Sequence, residues 1–329
     1  MRDFEKLNGF PANPIEVKRR REHAKTIVVS HPRYNLIMSK IEELHFYSYG
    51  SVQPDSLFLY GETGVGKSTA LKEYSNQFPR SIINGYTIVP VLYNKVPVGA
   101  TPKSVASSLL RSLGDPAYDK GTEISQTERL LNFIETCQVE LIIIDEFQHI
   151  IDRETKNVLK KPSEWIKKFF DDANIPVILC GMPESITIFD HNEQLDRRFT
   201  EKEGLYGFNY GTAEEQIEFR TFLKNIDEQL PFQNSSFIAD KNLSEKMFYA
   251  TNGVPFYVNK ILYEATTFAA KSGSDSIDEN HLYDAFNKLK IAARPFVINP
   301  FTNEKFNIID AFEKEEYKKK DKKIAKNVG

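Results

Sequence analysis

Nine consecutive residues, Gly61-Glu62-Thr63-Gly64-Val65-Gly66-Lys67-Ser68-Thr69, have the types and spacing to hold a chain of phosphates. They fit G-x-x-x-x-G-K-[ST], a pattern that carries a mechanism only between a strand and a helix. Both neighbours are legible. Leu57 to Tyr60 is a short apolar run of the kind that forms a buried strand, and Ala70, Leu71, Tyr74 and Phe78 follow at helical spacing. Glycine at 61, 64 and 66 lets the backbone wrap an anion with its N–H groups turned inward. A helix starting there aims its positive end at the same anion. In such a loop the Lys67 ammonium serves the outer phosphates of a nucleoside triphosphate, and the Ser68 hydroxyl is a ligand for Mg²⁺.

A second group suited to chemistry closes the run Leu141-Ile142-Ile143-Ile144-Asp145-Glu146. Four continuous apolar residues predict a strand buried on both faces, as in a parallel sheet. Its C-terminal end is where open α/β sheets bind ligands. Asp145 there can hold Mg²⁺ through water, and Glu146 can orient or deprotonate a water attacking the γ-phosphate. Ile175 to Gly181 predicts a further buried strand. At its end, Cys180 or just after, a polar side chain sensing the γ-phosphate is expected, a task that suits cysteine poorly. Arg197 and Arg198, in Leu195-Asp196-Arg197-Arg198-Phe199, read either as a salt-bridged surface or as an arginine finger reaching a neighbouring subunit's nucleotide. A finger is worth about 10³–10⁵ in rate.

The elements that must position these residues follow from the pattern. Residues 1–25 are polar and read as an irregular arm. Its cluster Lys18-Arg19-Arg20-Arg21 is either solvated or a phosphate-contacting arm. His31-Pro32-Arg33 opens a helix whose buried face is Tyr34, Ile37, Met38, Ile41 and Leu44. A helix in this place commonly covers the base of a nucleotide, which makes His31 to Arg33 candidates for base contacts. Residues 86–93 read as one strand, with Pro90 arguing for an edge position or a bulge. A helix carrying Val105, Leu109, Leu110 and Leu113 stops at Gly114, and a polar loop leads to another with Leu130, Leu131, Phe133 and Ile134. Residues 158–170 form a further amphipathic helix with Trp165, Ile166, Phe169 and Phe170. From about 213 helical segments dominate. The expected organisation is an arm (1–30), an α/β core with a parallel sheet (31–210), a small α-helical lid (211–293) and a flexible basic tail (294–329) containing the lysine-rich run Lys318 to Lys326.

The totals bound the function classes. The chain has 329 residues, enough for two domains at roughly 100–200 each. A net charge of −3 excludes a polycation field, so nucleic acid can be bound only through a local patch. Cys137 and Cys180 are far apart in sequence and lie in apolar surroundings, which argues against disulfides or a zinc site and for a reducing cytoplasm. The start lacks an apolar signal region, and no stretch reaches about 18 apolar residues, so no membrane span is expected.

Taken together, the phosphate loop, the acidic strand end, the arginine pair and the helical lid resemble an AAA+ ATPase. More narrowly, residues 57–200 resemble the TniB/TnsC family of transposition regulators. Beside the phosphate loop, the likeness rests on Thr101-Pro102-Lys103-Ser104-Val105, Leu113-Gly114-Asp115-Pro116, Ile143-Ile144-Asp145-Glu146-Phe147-Gln148-His149-Ile150 and Asp196-Arg197-Arg198-Phe199. The resemblance implies ATP and Mg²⁺ as cofactors, with Ser68 and Asp145 serving the metal, Glu146 hydrolysis, and Arg197 or Arg198 the neighbour's γ-phosphate. It implies that Lys103, Lys120 and Thr122 face double-stranded DNA in a helical or ring homo-oligomer. It also implies two protein partners, a target selector of TniQ/TnsD type and a transposase of TnsB type, in the bacterial cytoplasm. One departure stands out: Gly253-Val254-Pro255-Phe256 has phenylalanine where many AAA+ proteins place a sensing arginine, so slow hydrolysis is expected.

The residues support DNA binding only in part. Lys103 precedes one helix and Lys120, Thr122 and Ser125 precede another. Alone these are either surface lysines or weak phosphate contacts, which a filament would multiply. Two other readings share the core. A replication initiator or helicase loader usually adds a winged-helix domain, for which the stretch after Arg294 is short. A signalling ATPase without DNA usually carries sensor repeats, and the sequence shows none.

Overall fold

The structure, a computed structural model, describes residues 4–151, 160–190, 193–302 and 305–327. The chain divides into two compact units: Pro32–Tyr206 forms one, and Met1–His31 together with Gly207–Gly329 the other.

Helix α1 (Pro14–Thr26) belongs to the second unit. The first unit opens with α2 (Pro32–Ser48), strand β1 (Ser56–Tyr60) and α3 (Lys67–Asn76). A hairpin of β2 (Ser81–Ile83) and β3 (Tyr86–Ile88) leads to β4 (Val91–Lys95), α4 (Pro102–Leu113), α5 (Glu123–Thr136) and β5 (Leu141–Asp145). Then follow α6 (Gln148–Ile151), α7 (Lys160–Ala173), β6 (Val177–Gly181), a 3₁₀ turn at Pro183–Ile186, α8 (Thr187–Asp190), α9 (Glu193–Arg198) and β7 (Glu201–Gly204). Residues 158 and 159, at the start of the helix expected over 158–170, lie outside the described residues.

Strands β4-β5-β6-β1-β7 form one sheet in that order, all parallel. Continuous apolar runs put β1, β5 and β6 in the interior, with Leu57, Phe58, Leu59, Ile142, Ile143, Ile178 and Leu179 sealed from solvent. Alternation then splits the side chains between two faces. Leu57, Leu59, Ile143, Ile178 and Cys180 pack with Ile41 of α2 and Ala70, Leu71 and Tyr74 of α3. Phe58, Ile142, Ile144 and Leu179 pack with Leu109 and Leu110 of α4, Leu130 of α5 and Phe169 and Phe170 of α7. The registers Leu59↔Cys180 and Ile144↔Leu179 set the end of β5 two strands from the end of β1, on the order of 10 Å across the sheet.

The strand expected over 86–93 is two strands. Pro90 has no N–H to give a ladder, so pairing breaks there. Its carbonyl instead accepts from the N–H groups of Glu140 and Leu141 at 2.8 and 3.1 Å. On one side β3 turns back on β2 through Asn84-Gly85, both at positive φ (52° and 83°), the geometry of a tight two-residue hairpin. On the other side β4 runs along the edge of the main sheet.

The second unit contains α10 (Ala213–Asp227), α11 (Lys241–Thr251), α12 (Pro255–Ser272), α13 (Glu279–Asn287) and α14 (Ile308–Asn327), with α1 packed on α12. Two expectations are corrected here. The irregular arm contains the helix α1, started by Pro14 and capped by the Asn13 side chain, which accepts from the N–H groups of Ile15 and Glu16. Its basic cluster is divided by the helical period. Lys18 and Arg19 are exposed, while Arg20 is buried and donates to the carbonyls of Pro231 (2.5 Å) and Glu5 (2.7 Å) and to Glu16 (2.8 Å). Arg21 pairs with Glu264.

The flexible tail is corrected in the same way. Residues 308–327 form α14, anchored by buried Ala311 and by Glu315, whose carboxylate takes both ends of the buried Arg294 guanidinium at 3.2 and 2.6 Å. Tyr249 and Phe312 flank that arginine, with ring centroids 4.9 and 5.4 Å from its charge. A buried guanidinium holds its place only with such a partner. Among the described residues no helix is long and apolar enough to cross a membrane.

Candidate nucleotide site

The phosphate loop leaves β1 at Tyr60 and is held against the chain that leaves β7. The Leu205 N–H donates to the Tyr60 carbonyl at 2.8 Å. Gly61 has φ +156°, and a Cβ on it would stand 2.0 Å from the Leu205 carbonyl oxygen, so only glycine fits. Gly64 and Gly66 take φ of 87° and 110°. Val65 is buried and fixes the loop, while Glu62, Thr63 and Thr69 are exposed and Ser68 is half-buried in the first turn of α3. Gly66 caps α3 without a side chain, which leaves the first-turn N–H groups for a ligand. Lys67 is buried and its Nζ donates to the carbonyls of Gly61 and Glu62 at 2.5 and 2.9 Å. The result is a glycine-lined concavity with a desolvated cation at its base, which fits a polyphosphate.

The acids stand at the end of β5. Asp145 is buried; its Oδ1 accepts from the Glu146 N–H at 2.8 Å and its Oδ2 from the Tyr93 hydroxyl at 2.7 Å. Burial and then the bond to Asp145 push the Tyr93 phenol well above its ordinary range, so it stays a donor. A carboxylate offers about four acceptor positions, so room remains for the shell of a cation. Among the described residues no cluster of three or more His, Cys, Asp or Glu can hold a metal. One carboxylate and one hydroxyl, Asp145 and Ser68, are a donor set of the sparse kind that suits Mg²⁺ on a phosphate substrate. Glu146 takes φ 58°, a left-handed conformation costing of order 1–3 kcal/mol that the surroundings must impose. The next residue, buried Phe147, imposes it by donating its N–H to the Cys180 carbonyl at 2.8 Å. The Glu146 carboxylate lies 3.3 Å from the Lys95 ammonium, accepts from the Gln148 side-chain amide and has the His149 ring 3.9 Å away.

The end of β6 has no polar side chain to offer. Cys180 is sealed, and burial, then the nearby Asp145, push its thiol well above its ordinary value. Gly181 and Met182 follow, and the Met182 sulfur accepts from the Thr63 hydroxyl at 3.3 Å. The two arginines separate. Arg198 is tied down within its own unit, pairing with Asp171 at 2.9 Å and donating to the Ile175 carbonyl at 3.3 Å. Arg197 is exposed.

Lys103, in the first turn of α4, and Lys120 are both exposed, Lys120 lying 3.3 Å from Asp119. The Thr122 hydroxyl has a local task as cap of α5, accepting from the Ser125 N–H at 3.2 Å. The loop before it is built rather than slack. Arg129 pairs with Asp115 at 2.7 Å and donates to the carbonyls of Ala117 and Lys120. His31, considered for base contacts, is buried in the helical unit with its ring 4.9 Å from that of Phe208. Phe256 is exposed at the second position of α12.

Three residues that contact the acids escaped the sequence reading: Tyr93, Lys95 and Gln148. The alternation of β4 puts Tyr93 and Lys95 on one face, but only the register Lys95↔Asp145 reveals which acids they meet. Gln148 lies two residues beyond Glu146 in a stretch already singled out, and its amide is the signal that could have found it.

A family model described as "Bacterial TniB protein" matches residues 19–206. No curated protein sequence matches the chain. Among solved structures the chain is similar to the Orc1 protein of Aeropyrum pernix in complex with DNA, at 14% identity and TM-score 0.60, covering 82% of this chain and 69% of that one. It is also similar to Cdc6p of Pyrobaculum aerophilum, at 13% identity and TM-score 0.59, covering 84% and 72%. The Orc2 protein of A. pernix in its ADPNP–ADP complexes gives 15% identity and TM-score 0.55, covering 81% and 71%. At these identities the likeness is one of fold, the P-loop α/β fold of AAA+ proteins.

Proposed function

From the premise that this chain belongs to the bacterial TniB family, we propose that it is an AAA+ ATPase that assembles on duplex DNA and regulates transposition. In this reading it bridges a target selector of TniQ/TnsD type to a transposase of TnsB type. The observation that carries the reading is the pair of features at the C-terminal ends of the parallel strands: the Gly61–Thr69 cradle after β1 and the acids Asp145 and Glu146 after β5. The nucleotide complexes of the Orc2 relative support ATP as the ligand.

The chain's residues divide the work. The loop N–H groups and the start of α3 bind the phosphates, and Lys67 exchanges its two carbonyl partners for phosphate oxygens. Ser68 and Asp145 are the residues that would hold Mg²⁺, which supplies charge neutralisation on the phosphate oxygens. Glu146 orients the attacking water and takes its proton. Arg197, free of the contacts that bind Arg198, is the better finger for a neighbouring protomer's nucleotide. Phe256, where many AAA+ proteins place a sensing arginine, carries no charge, in keeping with slow turnover.

Lys103 and Lys120 give each protomer a small hold on DNA phosphates, with Thr122 fixing the start of α5 beside Lys120. Such a hold becomes useful only when repeated along a polymer, so nucleotide-dependent assembly governs DNA binding. The test is imaging of the full chain on duplex DNA with a slowly hydrolysed ATP analogue, alongside Lys67→Ala. Regular assemblies are expected with the parent chain and none with the variant. Assembly by Lys67→Ala, or a parent chain that stays monomeric, refutes the reading. The likeness to Orc and Cdc6 proteins keeps an initiator role as the second reading, and protection of a single DNA sequence in footprinting would favour it.

A further inference from the structure

Strand β6 ends without a polar side chain, yet a polar side chain occupies that place. The ideal Cβ position on Gly181 lies 3.2 Å from Oε1 of Gln148 and 2.8 Å from Oγ of Ser185. Gln148 comes from α6, and its side chain shares with Ser185 the space that a residue at 181 would use. Both ends of its amide are engaged. The Oε1 accepts from the Met182 N–H at 3.2 Å, the first backbone donor beyond β6, and the Nε2 donates to Oε2 of Glu146. The partners fix which way the amide points, because an N–H can only donate and a carboxylate here only accepts. Met182 in turn meets Thr63 of the phosphate loop through its sulfur. A short chain of contacts thus runs from Thr63 through Met182 and Gln148 to Glu146.

We propose that Gln148 is the positioning residue for Glu146, supplying from α6 the polar anchor that β6 lacks and tying the carboxylate to the phosphate loop. The inference rests on the reading of Glu146 as the hydrolytic residue. Glu146 needs such an anchor. Its backbone is in a left-handed conformation, its side chain is 30% exposed, and its other neighbours are the exposed Lys95 ammonium at 3.3 Å and the His149 ring at 3.9 Å. A carboxylate held at one oxygen by a neutral amide loses rotational freedom, which favours proton transfer at a fixed point.

The test uses the full chain in steady-state ATP hydrolysis with duplex DNA, beside the affinity for a fluorescent ADP. Gln148→Ala removes both contacts. Gln148→Glu keeps the shape and the acceptor for Met182 but replaces the neutral donor with a second carboxylate beside Glu146, a like-charge contact. Both variants are expected to lower kcat about tenfold or more while leaving KM and ADP affinity within about twofold. A purely structural brace would leave Gln148→Glu at the parent kcat, and that result overturns the inference. So does a Gln148→Ala variant that changes KM alone. Should Gln148→Ala fail to fold, the near-isosteric Gln148→Glu still decides. Glu146→Gln separates the two levels. Full turnover in that variant sinks the reading of Glu146 itself, whereas lost turnover there with parent-like Gln148 variants sinks only this inference.

Discussion

Gly61→Ala and Gly66→Ala alter the same loop, yet the structure assigns them different costs. A methyl on Gly61 would meet the Leu205 carbonyl oxygen at 2.0 Å, whereas real Cβ atoms essentially never come within 3.0 Å of a neighbour. Both sides of that clash are backbone, so the crossing of the two chain segments must open by about 1 Å. Opening it breaks the bond from the Leu205 N–H to the Tyr60 carbonyl, worth about 1–3 kcal/mol when buried groups are left unpaired. It also shifts Leu205, which is buried in the core beneath the loop. A total of about 2–4 kcal/mol follows, or roughly 5–15 °C in melting temperature for a unit of this size. At Gly66 the nearest atom is 3.9 Å away, so space is open and only the left-handed φ of 110° counts, about 1–2 kcal/mol. Thermal unfolding of the full chain, followed by circular dichroism without nucleotide, separates the two. Gly61→Ala is expected to melt well below Gly66→Ala, and both below the parent. A Gly61→Ala variant that melts with the parent, or above Gly66→Ala, refutes the reasoning about the crossing.

Two further outcomes are expected. Arg197→Ala leaves the melting temperature within about 1 °C of the parent, as a surface change should, but lowers hydrolysis by about 10³-fold or more in the assembled state; Arg198→Ala destabilises the unit by removing the partner of Asp171 and the cover over Phe170, and parent-like melting of Arg198→Ala would count against its structural role. For Glu315, burial raises the carboxyl's pKa, but Arg294 and then Lys319 outweigh it and hold it below the ordinary 4.5. A group depressed in the folded state stabilises above its unfolded value and loses that contribution as pH falls through the folded one. Acid melts of the parent should therefore show a loss below about pH 4.5 that Arg294→Met lacks, and identical acid profiles for the two chains would show that the pair is not coupled to folding.

What could be read without coordinates, and what could not, divides along a physical line. The α/β architecture was legible because β1, β5 and β6 are interior strands, and Leu57–Leu59, Leu141–Ile144 and Val177–Leu179 announce it by composition alone. The phosphate cradle was legible because its glycines and Lys67-Ser68 fall at fixed spacing in one short stretch between an apolar run and a helical pattern, although what requires glycine at 61, the Leu205 carbonyl, is distant in sequence. Arg20 was misread because a charge predicts solvent; beside the local partner Glu16, the carbonyls of Pro231 and Glu5, distant or irregular in sequence, make its burial tolerable. The tail was misread because its lysines masked Ala311, Phe312 and Glu315, one helical turn that docks the rest. Tyr93, Lys95 and Gln148 were missed for a third reason. Their meaning lies in strand register and in a 3.2 Å contact to the chain beyond β6, neither of which exists in any local window.

The pairing of α1 with α12 bears on how the polypeptide matures on the ribosome. Pro32–Tyr206 is an uninterrupted stretch and can condense as soon as it emerges. The opening helix cannot, because its bed at Pro255–Ser272 is translated more than two hundred residues later. Until then Val17 and Ala24 have nothing to lie against, and Arg20 must remain hydrated. Completion of the helical unit is therefore a late, long-range closure, and the nascent chain holds a finished nucleotide fold before it holds a finished protein.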